Sequence, residues 1–225
     1  MKSNHGIQRL YYGTEEFPFQ GDVCSALGVA DLGALHKIYA TSDYGDAVIQ
    51  LRHKCEEMLG SDWGTLNRFI SEKLEPLCGP VLARQATATF RFHFALGDTA
   101  APGQATLHRQ GAYRDLLKRY YGRSLGRVFH RDGDFRVDKR AINLWLPLTE
   151  LNSANTLWVG GNNLAPDAIP LHLSVGQCAL FNAITRWHGA VINCSETTRV
   201  SFDLRLVFRE ETSAVLALRA FQNEQ

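Results

Sequence analysis

The chain lacks the marks of several protein classes. It contains no run of about 18 apolar residues, the length a helix needs to cross a bilayer. Its polar opening, Met1-Lys2-Ser3-Asn4-His5-Gly6, has no apolar core of a signal peptide. A soluble, cytoplasmic protein is therefore expected. Five cysteines, Cys24, Cys55, Cys78, Cys178 and Cys194, are odd in number and form no CxxC pair, which removes the usual zinc and dithiol signatures and reads as reduced thiols. Charge of one sign is also missing, with 24 Lys and Arg against 23 Asp and Glu. That balance provides no electrostatic attraction for nucleic acid or an anionic membrane, so the expected partner is a small molecule. There is no internal repeat, no low-complexity tract and no signal for an oligomeric state.

What is present suffices for a folded core: 225 residues, 45% hydrophobic and 21% charged, in the range of one globular domain. The reading divides it into a helical part (1–80), a strand-rich core (81–210) and a C-terminal tail (211–225). In the first part, Leu27, Leu32, Leu35 and Ile38 recur near helical spacing between Asp22 and Tyr39. A second helical pattern runs from Ser42 through Val48, Leu51, Cys55 and Leu59. Ser61-Asp62 offers an N-cap before Leu66, Phe69, Ile70 and Leu74, and Cys78-Gly79-Pro80 ends that helix.

After Pro80 the period changes to two. In ATATFRFHFAL, Ala88, Phe90, Phe92 and Phe94 share one face while Arg91 and His93 lie on the other. AINLWLPL sets Ile142, Leu144, Leu146 and Leu148 against Asn143 and Trp145. RVSFDLRLVF sets Val200, Phe202, Leu204, Leu206 and Phe208 against Arg199, Ser201, Asp203 and Arg205. TLWV, IPLHLSV and QCALFNAI add short strands, Ala112–Tyr121 one more helix, and Gly160–Pro170 a loop. Strands after helices, without a βαβ alternation, indicate an α+β fold with an antiparallel sandwich or barrel. The apolar rows must be buried; a closed barrel would gather the opposite faces, with their Arg, His, Asn, Trp and Asp, into a polar pocket.

VFHRDGDF places His130 and Asp132 two residues apart, on one side of an extended segment, where they could share a metal ion, a proton or only water. Asp134 has the same parity. His188 follows 56 residues after Asp132, and Arg199 comes 11 later. Two neutral imidazoles and one carboxylate on one face of an octahedral ion leave three positions open, which suits Fe(II) binding a bidentate acid and dioxygen. A guanidinium opposite would clamp the far carboxylate of that acid.

The order His-x-Asp, His, Arg, with NLWLPL, TLWV, GQCALFNAITRWHGAVIN and RVSFDLR, resembles the Fe(II)- and 2-oxoglutarate-dependent oxygenases of the phytanoyl-CoA hydroxylase-like branch and the streptomycin-biosynthesis type. The resemblance covers roughly Phe90 to Phe208. It implies a double-stranded β-helix, the cupin-like jelly roll, with the N-terminal helices packed on it. It further implies Fe(II), 2-oxoglutarate and O2 as cofactors, with ascorbate as in vitro reductant. His130, Asp132 and His188 would be the iron ligands, Arg199 the anchor of the 2-oxoglutarate C5 carboxylate, and Trp145 and Asn143 further cosubstrate contacts. Arg205 is the alternative anchor or a substrate contact, with Arg91 and His93 as substrate contacts and Asp203 a partner for Arg205. Halogenating relatives replace the carboxylate by a small residue, so Asp132 points to oxidation of an unactivated C–H bond. Hydroxylation, cyclisation, desaturation and epimerisation are all compatible, on a small polar metabolite of antibiotic-type biosynthesis. The rival readings are a cosubstrate-independent cupin-type metalloenzyme and a carbohydrate-binding jelly roll without activity. His108, His172 and Trp187 receive no site role.

Overall fold

The computed structural model describes residues 6–39, 44–96, 129–160, 168–209 and 212–219. A large sheet and a small one form its centre. The large sheet runs β1 (Ile7–Tyr11), β7 (Gln177–Phe181), β4 (Ile142–Pro147), β9 (Arg199–Phe208) and β2 (Val81–Arg84), with β3 (Thr89–His93) also paired to β9. The small sheet runs β6 (Ile169–Pro170), β5 (Leu157–Val159) and β8 (His188–Ala190). Every strand pair in both is antiparallel.

Strand alternation divides the large sheet as its period predicts. Phe90, Phe92, Ile142, Leu144, Leu146, Val200, Phe202, Leu204 and Leu206 are buried in one core with residues from the helices. The helices supplying that layer are α1 (Phe19–Leu27), α2 (Leu35–Ile38), α3 (Tyr44–Leu59), α4 (Gly64–Phe69) and α5 (Glu75–Cys78). Aromatic edges make the junction: Phe19 and Trp63 meet Phe202 at 5.5 and 5.2 Å between ring centroids. The Trp63 indole donates to Asp22 Oδ2 at 2.6 Å, so the polar end of this large ring is satisfied inside the layer. A second core, with Ile7, Trp145, Leu157, Val159, Ala179 and Phe181, lies on the opposite face and joins the two sheets.

The helical part is more broken than the apolar spacing predicts. The Asp22–Tyr39 pattern is two helices, because Gly28 adopts φ 71° and stops α1 with a left-handed cap. A short 3₁₀ turn, Leu32–Ala34, then leads into α2, Asp31 accepting from the Gly33 N–H at 2.7 Å. Ile38, the last position of that apolar spacing, is 60% exposed. The cap of α4 is Trp63 rather than Ser61 or Asp62, and no side chain closes it. Between α4 and α5 the helix widens into a π turn, Ile70–Leu74, just ahead of Pro76, whose ring has no N–H to give the preceding turn.

Two further elements lie where the sequence reading has none. Ile7–Tyr11 is a strand of the large sheet, so residues 1–80 are not wholly helical, and a helix α6 (Ser213–Arg219) lies within the tail and buries Val215 and Leu218 in the helix-side core. Ile169–Pro170, at the end of the expected loop, pairs with Trp158 and Val159. The helix expected at Ala112–Tyr121, and His108, lie outside the described residues. Among the described residues no helix is long and apolar enough to cross a membrane.

Candidate metal centre and its cavity

His130 and His188 are brought together by backbone, not by side-chain attraction. Each N–H donates to the other's carbonyl, at 3.0 and 2.9 Å, and this isolated antiparallel bridge leaves the two imidazole centroids 4.5 Å apart. The chain then turns. Asp132 begins a 3₁₀ turn, Asp132–Asp134, and is not the strand residue its parity with His130 implied. Its N–H donates to the Ala183 carbonyl at 2.8 Å, and that of Gly133 to Ile184 at 3.1 Å. A Cβ on Gly133 would stand 2.5 Å from the Ile184 carbonyl oxygen. The glycine is therefore required by close backbone approach.

Asp132, 1% exposed, aims its carboxylate at the imidazoles. Oδ1 lies 3.7 Å from His130 Nε2 and 3.8 Å from His188 Nε2, and one donor atom from each of the three residues lies within 4.8 Å of the others. The His188 Nδ1 is 3.0 Å from the Arg186 carbonyl, an acceptor that requires the proton on Nδ1 and turns Nε2 toward the carboxylate as a lone pair. Burial pushes the His188 pKa down, the neutral state that metal ligation requires. For Asp132, burial alone would raise the pKa. The Arg205 hydrogen bond, with the charges of His188, Arg205 and His130, outweighs it and holds the carboxyl below its ordinary value. Two imidazole nitrogens and one carboxylate oxygen, converging and with the outer nitrogen of His188 already engaged, fit a divalent transition metal.

Arg205 lies on the cavity face of β9 with Arg199, as its parity implies, and its guanidinium engages Asp132. Its Nε donates to Asp132 Oδ2 at 2.6 Å and its Nη2 to Oδ1 at 3.1 Å, while Nη1 reaches Gln85 Oε1 at 3.1 Å. Asp203, expected beside Arg205, instead accepts from Arg91 Nε at 2.8 Å. Asp134 is set apart from the cluster by an exposed ion pair with Arg131 at 2.8 Å. Trp187 stacks under the Arg131 guanidinium at 5.0 Å, and His172 is exposed.

Above the three residues is a cavity of about 670 Å³ between the two sheets. Arg91 and His93 of β3, Asn143 and Trp145 of β4, and Arg199, Asp203 and Arg205 of β9 line one wall. Leu157 of β5 and His188, Gly189 and Ala190 of β8 line the other, with His130 at the metal end. The register explains the clustering, for His93 pairs with Arg199, Trp145 with Asp203 and Asn143 with Arg205, so one face of three strands carries them all. Arg199 is 2% exposed. Every residue given a metal, cosubstrate or substrate role from sequence lines the cavity or belongs to the cluster beneath it, and Asp134 does neither. The reading missed Val48, Ile49 and Arg52 of α3, which close one side, and Phe135 at the rim. Their signal was weak, since Val48 only takes part in a helical pattern and nothing in the local sequence marks Ile49 or Arg52. Gln85, which steadies Arg205, had none.

No family model matches the chain. Over 81 residues it is 41% identical to "Streptomycin biosynthesis protein StrG" of Streptomyces griseus, which is 36% of this chain and 37% of that protein. The match thus spans little more than a third of the curated relative. Among solved structures, the non-heme monooxygenase ThoJ as its nickel complex overlaps with a TM-score of 0.47 at 13% identity, covering 91% of this chain and 75% of that one. The epimerase SnoN from nogalamycin biosynthesis overlaps with a TM-score of 0.32 at 15% identity, covering 65% and 74%. A prolyl-4-hydroxylase from Pseudomonas putida gives 0.36 at 11%, covering 92% and 95%. Overlaps of that degree define no common fold, and the candidate metal centre rests on its own geometry. The resemblance read from the motifs, to the streptomycin-biosynthesis type, has its counterpart in a curated protein of that name.

Proposed function

We propose that the chain is an Fe(II)- and 2-oxoglutarate-dependent oxygenase that oxidises an unactivated C–H bond of a small polar metabolite in antibiotic-type biosynthesis. The observation that carries this is the convergence of His130, Asp132 and His188 at the floor of a cavity whose wall also bears Arg199 and Trp145. Two antiparallel sheets flanking that cavity support a double-stranded β-helix. The similarity to a streptomycin-biosynthesis protein supports the pathway class.

In this reading His130 and His188 hold the iron through Nε2 and Asp132 through Oδ1. Bound there, iron and cosubstrate supply the oxidation, 2-oxoglutarate being converted to succinate and CO2 with dioxygen as oxidant. Arg199 binds the far carboxylate of the cosubstrate, because its planar fork matches two oxygens and its burial strengthens the contact. Trp145 packs against the cosubstrate skeleton and helps exclude water, and Asn143 offers its buried amide to a polar group. Arg205 positions Asp132; the anchoring role considered for it passes to Arg199. His93, beside Arg199 in the register, and Arg91 face the substrate.

The test is turnover. Purified protein with Fe(II), ascorbate and 2-oxoglutarate should form succinate even without substrate, and His130→Ala should abolish it. Arg199→Ala should weaken 2-oxoglutarate binding by at least tenfold. Absence of succinate together with absence of any 2-oxoglutarate binding would overturn the assignment in favour of a cosubstrate-independent metalloenzyme or a binding module.

A further inference from the structure

Arg52 and Arg91 reach the cavity from different layers of the fold, and neither is consumed by the metal centre. Arg52 lies on α3, which packs across β3, where Arg91 sits on the inward face. The Arg91 guanidinium is held through Nε alone, at 2.8 Å from Asp203 Oδ1, and its two terminal nitrogens make no hydrogen bond among the described residues. A fork fixed by its Nε on a carboxylate presents those nitrogens as a pair, the geometry that receives two oxygens of one oxyanion. Arg52 makes no hydrogen bond at all among the described residues. Its nearest carboxylate, Glu56, is 3.8 Å away, and its Nε is shielded from solvent with no acceptor. A shielded guanidinium N–H without an acceptor costs free energy unless a ligand supplies one.

The charges agree with that geometry. Asp203 offsets Arg91, and Asp132 offsets Arg205. A metal dication and a 2-oxoglutarate dianion offset each other. Arg199 adds positive charge beyond that balance at the cosubstrate, and Arg52 adds more at the side of the cavity, with only the loose, exposed-side carboxylate of Glu56 behind it. We infer that the substrate carries an anionic group, a phosphate or a carboxylate, which docks between Arg52 and the terminal nitrogens of Arg91. The inference rests on the oxygenase reading for the word substrate, but the anion site itself is defined by these two arginines. Val48 and Ile49, one helical turn before Arg52, and Phe135 across the rim give the carbon skeleton an apolar contact beside the anchored group.

The experiment titrates the full chain by calorimetry with inorganic phosphate and, separately, with acetate. One arm uses metal-free protein dialysed into plain buffer and the other protein loaded with Mn(II) and 2-oxoglutarate. Saturable binding of at least one anion is expected in both arms, weakened at least tenfold by Arg52→Gln and by Arg91→Gln. Arg52→Gln, on a half-exposed helix position, should retain wild-type circular dichroism and bind Mn(II) and 2-oxoglutarate within twofold of wild type. Tighter phosphate binding assigns a phosphate ester, and tighter acetate binding a carboxylate. No saturable binding of either anion, or wild-type anion affinity in Arg52→Gln, would overturn the inference. Failure of the unmodified protein to bind Mn(II) or 2-oxoglutarate, with the phosphate or acetate result intact in the metal-free arm, would instead overturn the oxygenase reading and leave the anion site standing.

Discussion

Arg205 grips Asp132 with two nitrogens, Nε on Oδ2 at 2.6 Å and Nη2 on Oδ1 at 3.1 Å, across 73 residues of chain. The tighter contact falls on the oxygen that faces away from the histidines, and Oδ1 is the atom near both imidazoles. One carboxylate thus has an outer oxygen fixed by protein and an inner oxygen directed at the two imidazoles. That division of labour keeps a nearly fully buried charge compensated and oriented at once.

Removing the arginine should expose both functions. Arg205→Ala is expected to destabilise the fold by roughly 3 kcal/mol, since it leaves the Asp132 charge buried without its partner. It should also weaken Mn(II) binding by about tenfold to a hundredfold, as loss of a group orienting a ligand does. Arg205→Lys should not restore metal affinity, because a single ammonium cannot reproduce two parallel contacts. Urea denaturation and Mn(II) titration measure the two effects; an unchanged Mn(II) affinity in Arg205→Ala would refute the orienting role.

The two aspartates of the turn should separate cleanly. Asp132→Asn should lose Mn(II) binding by a hundredfold or more, the amide being a poor ligand beside two imidazoles. Asp134→Asn should bind as wild type, since Asp134 is engaged outside with Arg131 and its ion pair is exposed. Equal losses in the two variants would contradict the geometry.

Gly133→Ala places a methyl group 2.5 Å from a backbone oxygen and 3.2 Å from the Ile184 side chain. Backbone cannot rotate away as a side-chain end can, so the turn must separate from Ile184 and carry Asp132 with it. A loss of about 1–3 kcal/mol in stability is expected, accompanied by weaker metal binding. Chemical denaturation with parallel Mn(II) titration reads both, and a variant as stable as wild type would show that the turn yields without cost.

The thiols provide a pH test remote from the site. Burial raises Cys55 and Cys178 to about 12 and Cys78 to about 11, from an ordinary thiol value of 9.0. Folding therefore favours the protonated thiols. Their contribution to stability is complete below about pH 9 and is lost as pH rises through 11 to 12. Denaturation midpoints should accordingly fall above pH 9, less steeply in Cys178→Ala. In native protein at pH 8 a thiol reagent should label the half-buried Cys24 and Cys194 first and reach the other three only on unfolding. Rapid labelling of Cys178 without denaturant would contradict its burial.

The strands of the large sheet were legible because a strand has two faces and this chain writes them in different chemistries, phenylalanine and leucine on one, arginine, asparagine, tryptophan and histidine on the other. The short strands of the small sheet carried less pattern. Ile7–Tyr11 was not legible, because its place depends on pairing with Gln177–Phe181, a partner local periodicity cannot name. The tail helix Ser213–Arg219 has only seven residues, and its docking on the helix-side core is what makes it persist. The break after α1 rests on Gly28, one residue whose backbone freedom outweighed an otherwise continuous apolar spacing.

By itself the sequence determined which side chains share a strand face and in what order two histidines, an aspartate and an arginine follow one another. Both are local properties, set by the alternation of the β-strand and by the chain itself. Tertiary structure alone decided that Asp132 sits in a turn, that its partner is Arg205 while Arg91 belongs to Asp203, and that Arg52 of a distant helix closes the same cavity. The physical reason is that an ion pair is chosen by distance and direction in space, and those follow from strand register and helix packing between segments far apart in sequence.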